Sequence, residues 1–177
     1  TTGNNNTALG HNALGANTTA SDNTAVGRSA LGGNTTGANN VAVGRKALQQ
    51  NNADNNTAVG YYALEANTTG HSNTAMGYYA CKDSTTTDNN TGIGYKSLEN
   101  QTGTKNTGLG AYTLGNGTTG DQNTALGYAA LYQNAASSNT AVGHMAMYTN
   151  STGGNNCAVG HEALTANTTG DDNTMIG

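Results

Sequence analysis

Large apolar residues recur along the chain every 16 or 17 residues, and the same polar residues recur between them. Each unit is numbered here from the Asn that opens it, so that positions 1 to 9 read N-T-A-V-G-x-x-A-L before a polar segment. Position 4 is apolar in every copy, and position 9 is Leu, Met or Cys. A short fixed period with constant residues is typical of repeat proteins in which each unit forms one coil.

The opening Asn marks eleven copies of the motif. These residues are Asn6, Asn23, Asn40, Asn56, Asn73, Asn90, Asn106, Asn123, Asn139, Asn156 and Asn173. Gly closes the motif at position 5 of each copy. The units that begin at Asn40, Asn90 and Asn123 are one residue shorter, and the loss falls within positions 12–17. Variation in length is typical of external loops, so this segment is predicted to lie outside the coil.

The alternation of side chains at positions 2 to 4 predicts a short strand, and the Gly and Asn residues around it favour tight turns. A helix is disfavoured because no stripe of apolar residues has helical spacing. The chain contains no Pro, which suits a continuous ladder of backbone hydrogen bonds. The prediction is an all-β fold: a parallel β-roll or β-solenoid of ten 16–17-residue coils, forming a single repeat domain over 1–177. Each coil is expected to have a strand at positions 2–5, a turn at the Gly, a second strand near positions 7–10 and a polar loop.

The large residues at positions 4 and 9 are predicted to form the core, with position 2 on the same inward face as position 4. Positions 3 and 8 would then point outward, and they carry small residues in nearly every copy. An exposed strand does not require small residues. The small outward rows therefore predict close packing of a second chain, and hence self-association.

The constant Asn and Gly residues are predicted to have a structural role. Identical Asn side chains stacked from coil to coil can form a ladder of amide hydrogen bonds. Representative members of this predicted ladder are Asn23, Gly27, Asn40, Gly44, Asn56, Gly60, Asn73 and Gly77.

The stretch Asn40-Val41-Ala42-Val43-Gly44 resembles the N-S-V-A-I-G motif of the YadA-type heads of trimeric autotransporter adhesins. The coils of that family are shorter, and the extra residues here lie in the Asn-Thr-Thr-Gly loop. The resemblance implies a left-handed roll, assembly as a homotrimer and a role in an extracellular adhesive fibre, as the head or shaft of a bacterial surface adhesin. Similar repeats occur in phage tail fibres, so the alternative is a tail-fibre shaft on a virion.

Composition excludes several other classes of function. Charged residues make up only 9% of the chain, and six Lys and Arg are spread along it, which argues against nucleic-acid binding. No apolar run approaches the length of a membrane span, so no membrane contact is expected in this segment. The chain begins and ends inside the repeat, so it is expected to be a segment of a longer fibre. Cys81 and Cys157 lie in different units and are predicted to be unpaired.

A stripe of rings and cations follows the turn Gly, at positions 6 and 7. Its large amphipathic rings suit contact with a host-surface glycan or an extracellular protein. The residues predicted to carry that contact are Tyr61, Tyr62, Tyr78, Tyr79 and Tyr95. The alternative is that these rings cover the edge of the roll or the seam between chains.

No catalytic constellation is present in the sequence, so an enzyme is not expected, and no cofactor is predicted. No metal site is predicted either, although His144 and His161 occupy the same position in consecutive units and are expected about 5 Å apart. Recurrent Asp residues in the loops lack the dense spacing of a calcium site. A further alternative function is an ice-binding β-solenoid, since Thr recurs at positions 2, 13 and 14. The predicted inward orientation of position 2 argues against that function.

Overall fold

A computed structural model describes residues 2–117 and 119–177 as an all-β parallel solenoid of about ten turns, which confirms the predicted fold class. No helix occurs among these residues, and consequently none that could cross a bilayer. Stacking at about 4.8 Å per coil gives a rod about 50 Å long.

Each unit contributes one three-residue strand at positions 2–4. These strands are β1 (Thr7–Leu9), β2 (Thr24–Val26), β3 (Val41–Val43), β4 (Thr57–Val59), β5 (Thr74–Met76), β6 (Thr91–Ile93), β7 (Thr107–Leu109), β8 (Thr124–Leu126), β10 (Thr140–Val142), β12 (Cys157–Val159) and β13 (Thr174–Ile176). They form one eleven-stranded sheet in chain order. Two further strands, β9 (Gln133–Asn134) and β11 (Thr149–Asn150), pair with each other.

The register of the main sheet is unaffected by the length of the unit. Thr24 pairs with Val41 across a 17-residue step, and Val41 pairs with Thr57 across a 16-residue step. Equivalent positions are therefore superposed from coil to coil, and each position forms a row along the rod.

The predicted second strand at positions 7–10 is wrong. This segment consists of successive tight turns, in which Ala30 N–H donates to Gly27 C=O (3.3 Å) and Gly32 N–H donates to Ser29 C=O (3.2 Å). The residues at positions 7 and 9 have φ of 53–60° and 45–52°, and the Gly at position 5 has φ of 122–140°. This alternation of left-handed residues cannot form a strand. The neighbouring coil still provides partners, since Leu31 N–H donates to Ala47 C=O at 3.0 Å.

The predicted assignment of the strand faces is also wrong. Position 3 points inward: Ala25, Ala42 and Ala58 are completely buried. The small residues at position 8 lie opposite, and Ala30 and Ala47 are likewise buried. Only position 9 behaves as predicted, with its Leu row in the core. The small rows thus face each other inside one coil, because the two walls of the coil approach closely. They do not mark a contact with another chain.

Two coils show how tightly the inward rows fit. Gly replaces Ala at position 3 in the units where position 8 carries a hydroxyl, so Gly92 accompanies Ser97 and Gly108 accompanies Thr113. A methyl group on Gly108 would collide with Thr113 Oγ1 and Ser97 Oγ. The two hydroxyls lie 2.7 Å apart and share a hydrogen bond. The volume added on one wall is removed from the other, as close packing requires.

The opening Asn residues form a buried hydrogen-bonded row. The Oδ1 of each accepts the backbone N–H of the next opening Asn, as from Asn40 to Asn23 at 2.9 Å. The Nδ2 donates to the C=O of the residue three before that next Asn, as from Asn23 to Gly37 at 2.9 Å. Most of these bonds therefore join a side chain to backbone, whereas the sequence argument considered contacts between side chains.

A second buried polar row lies at position 12. Asn34 Nδ2 donates to Gly37 C=O (2.8 Å), and Gly37 N–H donates back to Asn34 Oδ1 (3.0 Å). The same reciprocal pair recurs between Asn67 and Gly70. These bonds satisfy backbone groups at the corner of the coil that no strand would satisfy.

Candidate binding surfaces

The outer face of the main sheet carries the side chains of positions 2 and 4, and we call it the outer sheet face. None of the apolar residues at position 4 is buried, and Leu109 is 45% exposed in the middle of the sheet. Nine of the eleven residues at position 2 are Thr. The face therefore presents one Thr-rich row beside one apolar row for the length of the rod.

The outer sheet face continues without interruption along all eleven strands. Eleven strands at the usual spacing, two outward residues wide, give roughly 500 Å². The Thr row takes about half of that area, so the apolar row covers roughly 250 Å². An exposed apolar strip bordered by polar residues is a candidate interaction site. Cys157 is the only free thiol on this face among the described residues, and it is half-buried.

The second surface is a continuous array of rings along positions 6 and 7, which we call the aromatic stripe. Tyr61, Tyr78 and Tyr95 stack with centroid separations of 5.2 and 5.4 Å. Position 6 of the next coil is Ala111, which has no ring. Tyr112 at position 7 continues the array instead, with its ring centroid 5.2 Å from that of Tyr95.

The stripe continues along the rest of the rod. Tyr112 is followed by Tyr128 at 5.9 Å. Tyr128 stacks on His144 at 5.3 Å, and His144 stacks on His161 at 5.0 Å. The ring array thus runs unbroken from Tyr61 to His161.

The five tyrosines predicted to bind a partner lie together at the end of this ring array that is nearer the amino terminus. Tyr78 and Tyr95 are 42% and 43% exposed, and Tyr61, Tyr62 and Tyr79 are half-buried. The half-buried rings pack against neighbouring rings. The ring centroids of Tyr61 and Tyr62 are 4.4 Å apart, and those of Tyr78 and Tyr79 are 4.2 Å apart. The cluster offers a rigid aromatic surface whose outer ring faces are accessible.

Cations frame the cluster. Arg45 Nη1 donates to the Tyr61 hydroxyl at 3.1 Å, and Lys46 Nζ lies 4.8 Å from the centre of the Tyr62 ring. The hydrogen bond with Lys46 lowers the pKa of Tyr62. The hydrogen bond with Tyr78 raises the pKa of Tyr79 to about 12. The surface therefore combines neutral hydroxyls with cationic edges, which suits contact with a polar, ring-bearing ligand.

A groove that was not predicted from the sequence lies next to the predicted tyrosines. It has a volume of about 330 Å³ and is lined by Tyr112, Tyr128, Ala129, Tyr132, Met145 and Tyr148. Ala129 stands at position 7, where five of the other nine coils carry Tyr or Lys, and its small side chain leaves the groove open. Tyr132 and Tyr148 occupy position 10 and stack at 5.3 Å. The signal was present in the sequence, because all nine tyrosines fall at positions 6, 7 or 10.

The recurrent loop Asp residues have a structural role in the described chain. Asp54 Oδ1 accepts Ala38 N–H at 2.7 Å, and Asp88 Oδ1 accepts His71 N–H at 2.7 Å. Asp121 accepts Thr104 N–H in the same way at 2.6 Å. Each of these Asp residues stands two residues before an opening Asn, and its carboxylate accepts a backbone N–H of the preceding coil. This row gives a structural reason for the Asp residues that recur at that position.

Comparison of the chain with protein-family models, curated proteins and solved structures gives no match.

Proposed function

We propose that this chain is a structural and adhesive segment of an extracellular homotrimeric fibre, as in the head or shaft of a bacterial surface adhesin. The observation that carries the proposal is the uncovered apolar row at position 4 of the outer sheet face. A phage tail-fibre shaft would have the same three-rod construction and would bury the same row.

The occupant of the outer sheet face is proposed to be a second copy of this chain. The apolar row repeats once per coil over eleven strands, and a surface with the same repeat matches it at every step. A second copy of this chain has the same repeat along its length, and it also has an uncovered apolar row at position 4 that such a contact would bury. The number three rests on the resemblance of the Asn-Val-Ala-Val-Gly pentapeptide to the YadA-type heads. The seam is thereby moved from positions 3 and 8, which lie inside the coil, to positions 2 and 4.

The adhesive contact is proposed to use the aromatic stripe, because it lies beyond the turn Gly and stays free when the outer sheet face is covered. Tyr78 and Tyr95 present large rings that are already ordered by stacking, so little side-chain entropy is lost on binding. The partner class is a host-surface glycan or an extracellular protein.

Assembly can be tested through Cys157, which lies on the outer sheet face. We expect the unmodified protein to sediment as a trimer in which Cys157 resists alkylation. The double variant Leu109→Glu, Leu126→Glu should sediment as a monomer with a reactive Cys157. It should retain its β circular dichroism, because both side chains point to solvent in the single coil. Thr69→Glu, in the exposed loop, is the matched control and should remain trimeric.

Two outcomes would contradict the proposal. One is an unmodified protein that sediments as a monomer and whose Cys157 is alkylated as fast as in the double variant. The other is a trimer that shields Tyr78 and Tyr95 from iodination while Cys157 stays reactive. That second result would place the seam at the aromatic stripe and remove it as an adhesive surface.

Ice binding is the second candidate, favoured by one observation. The Thr row at position 2 points outward beside the apolar row, whereas the sequence argument had directed it to the core. A regular row of Thr on an exposed β face can order water. This function requires an uncovered face, so it predicts a monomer with a reactive Cys157 and measurable thermal hysteresis. Thr91→Tyr should abolish the hysteresis, and Thr69→Tyr in the loop should not.

A further inference from the structure

Three potential metal ligands meet at the end of the aromatic stripe that is nearer the carboxyl terminus. His144 and His161 occupy position 6 of consecutive coils, and Glu162 follows at position 7. The imidazole rings are parallel, with an interplanar angle of 4° and centroids 5.0 Å apart. One nitrogen from each imidazole and one carboxylate oxygen lie within 4.8 Å of one another. All three side chains are exposed, so an ion can reach them directly.

The backbone holds these residues in register. Strands β10 and β12 pair residue for residue, and Glu162 N–H donates to His144 C=O at 2.8 Å. The distance between His161 Nε2 and Glu162 Oε1 is already 3.9 Å. Only side-chain rotation is therefore needed to bring the three donor atoms closer, and exposed side chains rotate freely.

We propose that His144, His161 and Glu162 bind a divalent transition-metal ion, with Zn²⁺ as the best fit. Zinc bonds imidazole nitrogen and carboxylate oxygen at about 2.0–2.2 Å, so tetrahedral ligands lie roughly 3.4 Å apart. No separation between these donor atoms exceeds 4.8 Å, and rotation of the side chains closes the difference. Two nitrogens and one oxygen select zinc, nickel or copper over calcium and magnesium, which prefer oxygen donors. Water fills the fourth position.

The remaining histidines do not offer the same arrangement. His11 also occupies position 6, but Arg28 stands at that position in the next coil, where a second imidazole would be needed. His71 lies in a loop, and its Nδ1 accepts the backbone N–H of Asp54 at 3.2 Å. Among the described residues the set of His144, His161 and Glu162 is thus the one paired imidazole site, and His11 is its natural control.

The ion would join two consecutive coils outside the hydrogen-bond ladder. Since the bound form is favoured only when both coils are folded and stacked, binding adds to the stability of that end of the rod. The site lies beyond Tyr128 on the stripe and is separate from the outer sheet face, so its occupancy does not depend on assembly into a trimer.

The test is isothermal titration of the untagged protein with ZnCl₂ in a buffer that does not bind metal. We expect one ion per chain. His144→Ala and His161→Ala should each weaken binding by at least about tenfold, and Glu162→Gln by less. His11→Ala is the matched control and should leave the affinity unchanged. Titration with Co²⁺ should give visible absorption bands typical of tetrahedral cobalt, and His161→Ala should remove them.

Three results would overturn the proposal. The first is no binding at millimolar zinc by a protein whose circular dichroism shows the folded solenoid. The second is equal weakening by His11→Ala and His161→Ala, which would indicate scattered surface binding. The third is one ion per three chains, which would assign the ion to an axis between chains.

Discussion

Asn73 offers the sharpest test of how the coils are held together. Its side chain is buried and makes three hydrogen bonds. Oδ1 accepts Asn90 N–H at 2.9 Å, while Nδ2 donates to Thr87 C=O at 2.7 Å and to Asn56 Oδ1 at 3.2 Å. Asn73→Ala would leave a backbone N–H and a backbone C=O without partners in a site that water does not reach.

The expected cost follows from those two groups. An unsatisfied buried donor or acceptor costs about 1–3 kcal/mol, so the loss is roughly 2–6 kcal/mol. That is a large part of the 5–15 kcal/mol that is typical of the stability of a domain. The control is Asn52→Ala, which removes an equal number of atoms at the surface. Asn52 Oδ1 accepts bonds from the N–H and hydroxyl of Thr35, both at 2.8 Å. Water can replace it there, so the expected cost is below about 1 kcal/mol.

Urea unfolding followed by circular dichroism measures the difference between the two variants. Hydrogen exchange adds spatial information, because in a stack of coils a defect acts mainly on its neighbours. Exchange of the Asn90 amide should accelerate most, with a smaller effect several coils away. The reasoning is refuted if Asn73→Ala is no less stable than Asn52→Ala, or if exchange rises evenly along the rod.

Three further predictions concern the turn, the core and the buried thiol. Gly77→Ala should destabilise the fold by several kcal/mol, because the φ of Gly77 is 137° and a methyl group there would collide with the backbone of the next coil. Gly154→Ala is the control, since a methyl group has room at that position. Equal urea midpoints for the two variants would contradict this prediction. Ala58→Leu should unfold the coil itself, because position 3 has no room for the larger side chain. Circular dichroism and sedimentation measure this, and a variant that remains folded would show that position 3 is not confined. Burial raises the pKa of Cys81 to about 12, from 9.0, so peptide mapping should find it unalkylated at pH 8 until the protein unfolds. The same shift predicts that the free energy of unfolding falls as the pH rises from 9.0 towards about 12, because the Cys81 thiol ionises in the unfolded chain before it does in the folded one.

The 16–17-residue period and the constant Asn and Gly residues were sufficient to predict the solenoid. A constant Asn and Gly at a 16–17-residue spacing leave few alternatives, and the parallel sheet follows from superposed units. The orientation of the strand was not predictable from side-chain size. Larger apolar residues are normally buried, so Val43 was placed inside and Ala42 outside. The coil reverses this order, because its opposing walls approach too closely for anything larger than Ala at position 3.

One sequence signal does distinguish the two orientations. Gly at position 3 coincides with Ser97 and Thr113 at position 8, and such compensation is expected of residues that touch. The predicted tyrosine cluster was located from its spacing alone, since rows at positions 6 and 7 must stack in any such coil. The groove beside it was missed because it depends on the absence of a side chain at Ala129 and on rings at position 10, outside the stripe considered.

The tolerance of the coil for 16 or 17 residues has a practical consequence. The difference falls between position 12 and the residue three before the next Asn, where the shorter unit has Asn52 alone and the longer one has Thr35 and Thr36. Hydrogen bonds fix both ends of this short segment, from Asn51 to Ala53 at 2.7 Å and from Asn34 to Gly37 at 2.8 Å. A foreign peptide inserted there would lie outside the main sheet and the row of opening Asn residues, and it would disturb only the few hydrogen bonds that this segment makes with neighbouring coils, such as Asn52 N–H to Thr68 C=O at 2.9 Å. Repeated in successive units, it would be displayed at the spacing of the coils, so that the rod could serve as a molecular ruler for multivalent ligands.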